Sequence, residues 1–150
     1  MSKVLLLLLV FVLFGCKSQK TIRSISCDTD VEVQFDRIKF SDRNMPKADR
    51  KLKSFTVFFM GAVNDTVKVY VNNKIVYNNY ISKTDNNHSL NENFIYDYSK
   101  DTDAPVIKVK LVNQNTCFDM VLDQYNYKLV YVFFYRESWI MRYSNIYYLH

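Results

Sequence analysis

Glycine is nearly missing from this chain, with two in 150 residues, and one of those is Gly15. Loops that cradle phosphate need glycine so that backbone can approach the ligand, which sets that class of nucleotide site aside. Histidine is equally scarce: His88 lies in an Asn-rich stretch and His150 is the last residue. Asp85, His88 and Ser89 share one loop, which reads as loop composition, because a triad needs its histidine held by a rigid scaffold. No Cys-x-x-Cys or His-Glu-x-x-His spacing is present, so no zinc site is expected. Asp97, Asp101 and Asp103 cluster without the glycine and closing glutamate of a calcium loop. Asp119 and Asp123 share a strand face, but a hydrolytic pair is defined by separation and burial, and solvated carboxylates are the expected reading. No catalytic set, metal or cofactor is expected, and the chain is not read as an enzyme.

Charge of one sign is also not concentrated. The formal charge is +5, and the densest basic cluster, Arg43, Lys47, Arg50, Lys51 and Lys53, is interrupted by Asp42 and Asp49. It has no aromatic residue until Phe55, whereas a single-strand nucleic-acid groove interleaves basic and stacking residues. Nucleic acid is therefore not an expected partner. No stretch of useful length carries a helical period.

What the chain does have begins at Lys3. An apolar run, Val4 to Phe14, is followed by Gly15 and Cys16, and then by the polar Lys17-Ser18-Gln19-Lys20. The run is short for a membrane span, which takes about 20 apolar residues. A positive residue, an apolar stretch and a small residue before the cut make an export signal. With Leu13-Phe14-Gly15-Cys16 the segment resembles the lipobox of bacterial lipoproteins. That resemblance implies cleavage before Cys16 by signal peptidase II, diacylation of the Cys16 thiol, and a mature protein anchored by lipid to the cell membrane or outer membrane, facing periplasm or cell surface. Two acyl chains make a stable anchor where one does not. The expected organisation is a signal over residues 1–15, a lipidated N-terminus and flexible tether over 16–26, and one domain over 27–150. About 135 residues then remain, enough for one core and few for two.

Of three cysteines, Cys16 is assigned to lipid, leaving Cys27 and Cys117 in an exported domain where oxidation is available. Pairing of the two and a pair of buried free thiols both stay open at this point.

The rest of the chain reads as strands. Aromatic residues make up 16%, including 12 Tyr and 11 Phe, which favour strands together with valine and isoleucine. Val31, Val33 and Phe35 alternate with polar residues, and Ile38 and Phe40 continue on the other parity. Phe55 to Met60 is apolar on both parities, as in a central strand covered on both faces. Val67 to Val71 and Lys74 to Tyr77 flank Asn72-Asn73, the pattern of a hairpin closed by a type I′ turn. That spacing predicts Val69 opposite Val76 toward the core, with Tyr70 opposite Ile75 and Lys68 opposite Tyr77 on the other side. Ile107, Val109 and Leu111 alternate with Lys108 and Lys110, and a last hairpin turns around Arg136-Glu137-Ser138. The expected fold is all-β, a β-sandwich of eight or nine antiparallel strands, with a small β-barrel as alternative.

Tyr70, Tyr77 and Lys68 form the candidate ligand face, because flat aromatics with polar neighbours suit sugar or peptide recognition. The functional expectation is a non-catalytic binding module of the cell envelope for glycan or peptide. The alternative is a structural or protein-partner role, including an immunity-type inhibitor. Expected partners are the membrane, through the lipid, and an envelope protein or glycan.

Overall fold

The computed structural model describes residues 19–27, 29–37, 44–60, 63–82 and 92–148. Cys16 and the apolar run before it, the loop with Asp85, His88 and Ser89, and the continuation at Ile38 and Phe40 lie outside the described residues.

Among the described residues ten strands form two sheets, and the fold is an all-β sandwich. The strands are β1 (Gln19–Arg23), β2 (Asp30–Phe35), β3 (Ser54–Met60), β4 (Asp65–Val71), β5 (Lys74–Ile81), β6 (Asn93–Asp97), β7 (Val106–Leu111), β8 (Thr116–Val121), β9 (Leu129–Tyr135) and β10 (Ser138–Ser144). The larger sheet has the order β1-β2-β10-β9-β3-β6, and the smaller has β5-β4-β7-β8.

Three expectations need correction. The strands are not all antiparallel: β10 pairs in parallel with β2, and β3 in parallel with β9. The strand count exceeds nine because β1 falls inside the segment read as tether, where Gln19 to Arg23 pair antiparallel with Gln34 to Asp30. Ile22 is the single apolar residue of β1, too little for an alternating signal. The hairpin register also slips. Val71 and Tyr70 face Lys74 and Ile75, but a bulge then leaves Val76 without an opposite residue, so Val69 faces Tyr77 and Lys68 faces Asn78. One extra residue in a period-2 strand sends every later side chain to the other face.

The turn chemistry is as the scarcity of glycine requires. Asn72 (φ 49°) and Asn73 (φ 65°) both take the left-handed conformation, as do Asn64 and Asn115 at other turns. Asparagine tolerates positive φ better than most residues. The last hairpin closes on Arg136 (φ 49°) and Glu137 (φ 63°), which have no such preference.

The core lies between the sheets. Val67, Val69, Ile107, Val109 and Phe118 from the smaller sheet meet Val31, Val33, Phe55, Val57, Val130 and Met141 from the larger. Each buried valine, isoleucine or phenylalanine contributes about 1.5–3 kcal/mol before chain entropy is counted. Ring contacts give the overlay of the sheets: Tyr77 of β5 lies 5.2 Å from Phe59 of β3 and 5.8 Å from Phe94 of β6, and Phe118 of β8 lies 4.9 Å from Trp139 of β10. With β5 over β3 and β6, and β8 over β10, strands β2 and β1 extend past the smaller sheet.

β3 and β9 are covered on both faces, as the apolar parity of Phe55 to Met60 predicts. A second cluster of Ala48, Phe58, Leu129 and Tyr131 lies on the outer side of the larger sheet. The C-terminal segment holds it closed: Lys47 bridges Ile146, and the Tyr131 hydroxyl donates to the Ile146 carbonyl at 2.8 Å while accepting from the Tyr148 amide at 3.2 Å. Burial pushes the Tyr131 hydroxyl up to about 12.

Candidate functional site

The two outer faces differ in what occupies them. On the larger sheet, Arg142 of β10 donates twice to Gln34 Oε1, at 2.9 and 2.8 Å, stands 3.9 Å from Asp36, and lies over the Phe133 ring. The Tyr148 hydroxyl donates to Asp36 at 2.6 Å. Polar groups here are matched within the domain.

The smaller sheet presents a different surface. Val67, Val69 and Val71 of β4 and Ile107, Val109 and Leu111 of β7 point into the core, so alternation turns Lys68, Tyr70, Lys108 and Lys110 outward. The register sets Lys68 opposite Lys110, and Tyr70 opposite Lys108. On the β5 side, Asn78 stands beside Lys68 and Ile75 beside Tyr70, with Tyr80 next to Thr66. Ile75 and Tyr80 are exposed, at 60% and 53%. Like charges directly opposed across a strand pair destabilise it. Among the described residues, neither Lys68 nor Lys110 has an ion-pair or hydrogen-bond partner to offset that repulsion.

The third lysine is engaged at the margin of this face. Lys108 Nζ donates to Ser26 Oγ at 3.1 Å. Ser26 in turn donates its hydroxyl to Asp119 Oδ2, and its amide to both carboxylate oxygens at 2.9 and 3.0 Å. Burial acts to raise the Asp119 carboxyl, but the Ser26 hydroxyl and the amides of Ser26, Cys27 and Ile25 outweigh it and hold the pKa below the ordinary carboxylate value. Asp119 is thus consumed by the segment before β2. Asp123 follows β8 on the exposed side, with Oδ1 accepting from Gln124, so the two do not form a facing pair.

The same segment closes the free edge of β8. The Asp119 amide donates to Ser24 Oγ, the Thr29 hydroxyl donates to the Cys117 carbonyl, and Cys27 is disulfide-bonded to Cys117.

Of the residues singled out from sequence, Lys68 and Tyr70 share the outer face of the smaller sheet. Tyr77 does not join them. The bulge turns it inward against Phe59 and Phe94, and its hydroxyl donates to Glu92 at 2.6 Å. Burial, then the hydrogen bond to the Glu92 carboxylate, raises its pKa far above the usual phenol value. Cys27 and Cys117 meet; Cys16 lies outside the described residues.

Three positions escaped the sequence reading. Lys108 and Lys110 carried the signal of a half-buried strand, but that signal does not say that β7 lies beside β4. Asp65, the first residue of β4, has a buried carboxylate that accepts the amides of Asn113 and Gln114, both at 2.9 Å, and fixes the β7–β8 turn. Among the described residues no group of three or more His, Cys, Asp or Glu side chains is placed to hold a metal ion.

No protein-family model, curated protein or solved structure matches the chain.

Proposed function

We propose that this chain is a membrane-anchored lipoprotein of the cell envelope whose sandwich is a non-catalytic binding module for an anionic glycan or peptide. The anchor rests on Leu13-Phe14-Gly15-Cys16. The observation that carries the binding reading is the directly opposed pair Lys68 and Lys110, with Tyr70 on the next row. Two adjacent ammonium groups without a counter-charge among the described residues raise the energy of the unliganded face, and a carboxylate, sulfate or phosphate set between them relieves it. Tyr70 adds a flat surface for a sugar ring or an aliphatic stem.

The test is a titration of the full chain in lipid nanodiscs with acidic oligosaccharides and with acidic peptides. Affinity falls as salt is raised, since the attraction is screened, and Lys68→Ala with Lys110→Ala removes it. Binding that is insensitive to both changes sinks the proposal. For the anchor, Cys16→Ser moves the protein out of the membrane fraction, and unchanged partitioning refutes the lipidation.

A second reading, docking of a protein partner as for an immunity-type inhibitor, is favoured by β5. This strand ends the smaller sheet and displays Ile75 and Tyr80, whereas the opposite edge at β8 is closed by Ser24 and Thr29. Among the described residues no strand pairs with the outer edge of β5, and an unpaired strand edge can accept an added strand.

A further inference from the structure

Strand β1 begins at Gln19, so only Lys17 and Ser18 separate it from Cys16. Three links of chain reach at most about 11 Å. A domain anchored through Cys16 therefore stands against the bilayer and meets it with one end. The register says which end. Gln19 pairs with Gln34, Gln34 with Arg142 and Arg142 with Tyr131, so β1 starts where β2 and β10 finish and where β9 and β3 begin.

Residues 47–53 lie at that end. The Ala48 amide donates to the Asn145 carbonyl just past β10, and the chain then leads into β3 at Ser54. This strap crosses the outer side of the larger sheet, where Ala48 packs on Phe58 and Tyr131. In the order of strands, β10 is two spacings from β1 and β3 is four, about 10 and 19 Å. Lys47, Arg50, Lys51 and Lys53 are exposed on the strap, and Leu52 is 50% exposed. The Leu52 amide donates to the Asp49 carbonyl at 3.2 Å, and the Lys51 amide to Asp49 Oδ1 at 2.9 Å, a turn that puts Arg50 and Lys51 at its tip.

Four cations thus face one carboxylate within the strap. Lys53 is within electrostatic reach of Asp97, while Lys47, Arg50 and Lys51 have no ion-pair partner among the described residues. The other acidic groups at this end lie elsewhere: Asp97, Asp101 and Asp103 at and after β6, the far edge of the larger sheet, and Asp123 after β8 in the smaller one. The end is split by charge, with its basic side on the outer surface of the larger sheet.

We propose that residues 47–53 seat the domain on an anionic phospholipid surface, with Lys47, Arg50, Lys51 and Lys53 at the headgroups and Leu52 in the interface. The inference rests on the lipidation of Cys16 proposed above. Attraction to anionic headgroups falls off within a Debye length, about 8–10 Å, which is the span that the short link allows. The anchor also makes the second contact intramolecular, which favours the bilayer over a diffusing acidic protein. Seated in this way, the domain turns its lysine face away from the membrane.

The test places the full chain in nanodiscs of phosphatidylcholine with and without phosphatidylglycerol, each carrying a nitroxide-labelled headgroup lipid. Paramagnetic broadening is compared at the methyls of Leu52 and of Ile75, which is exposed on the smaller sheet. With phosphatidylglycerol Leu52 broadens and Ile75 does not, and high salt removes the difference. Each Lys or Arg near an anionic surface favours the seated orientation by about fivefold, so Lys51→Gln lowers the ratio of seated to free orientations by that factor. Replacing Lys47, Arg50, Lys51 and Lys53 together by Gln equalises the two methyls, and the fold survives because all four are on the surface. Lys68→Ala with Lys110→Ala leaves the Leu52 signal in place. The mass of the N-terminal peptide reports acylation separately, and an unacylated Cys16 refutes the anchor and this seating with it. On an acylated chain, equal broadening at the two methyls, or a Leu52 signal that persists in neutral lipid or in the four-site variant, overturns the seating alone.

Discussion

The backbone amide of Ser26 points at both oxygens of the Asp119 carboxylate, at 2.9 and 3.0 Å, across 93 positions of sequence. One side chain thereby ties the segment after β1 to the far edge of the smaller sheet. Replacing it leaves buried donors unsatisfied, so Asp119→Asn is expected to cost about 1–3 kcal/mol at neutral pH. The folded-state pKa is depressed, so the carboxylate's contribution is present above the unfolded value of about 3.9 and is lost as pH falls through the lower folded value. Denaturant midpoints of the two proteins should converge below about pH 4. A gap that stays constant into strong acid would show that the charge is not what matters.

The disulfide Cys27–Cys117 spans the same two regions with a sequence separation of 90. Closing so long a loop restricts the unfolded chain, and its loss is expected to cost about 2–5 kcal/mol. Unfolding of the double Cys→Ser variant, compared with the parent with and without reductant, measures this. The reduced parent should match the variant.

Tyr70 and Tyr77 separate stability from recognition. Tyr77→Ala removes ring contacts to Phe59 and Phe94 and the bond to Glu92, with an expected cost of about 2–4 kcal/mol for a half-buried aromatic. Tyr70→Ala should change stability by under about 1 kcal/mol and weaken binding of the anionic ligand. Equal stability losses at the two positions would return Tyr77 to the outer face.

Arg136 and Glu137 hold positive φ without the side chains that favour it. Each non-glycine residue in that region costs about 1–2 kcal/mol, while Asn-Gly suits a two-residue hairpin. Arg136→Asn with Glu137→Gly is therefore expected to raise stability by about 1–2 kcal/mol. A neutral or destabilising result would mean that these residues make contacts outweighing the strain.

The sequence made local structure legible wherever a face was buried. Val67, Val69 and Val71 alternate cleanly because one side of β4 is core, and Asn72-Asn73 marks its turn because few other residues accept two positive φ values in succession. What escaped was long-range or singular. Nothing local in Val31-Glu32-Val33 says that its neighbour is Trp139-Ile140-Met141, and a bulge at Val76 leaves no residue-type mark. The candidate ligand face failed at that point: Lys68 and Tyr70 were placed by alternation alone, while Tyr77 lay beyond the bulge and moved inward. Lys110 was seen as a strand residue, but its position opposite Lys68 depends on the order of strands.

The parallel pairing of β2 with β10 joins nearly the first and the last strands of the fold. The centre of the larger sheet therefore cannot assemble until residues 138–144 are present. Sheets dominated by such distant pairings fold slowly. A chain emerging N-terminus first keeps β1 and β2 waiting with their apolar sides uncovered, and Cys27 keeps its thiol until Cys117 follows. Timing, as much as affinity, is written into the order of these strands: the domain matures only after its whole length is delivered.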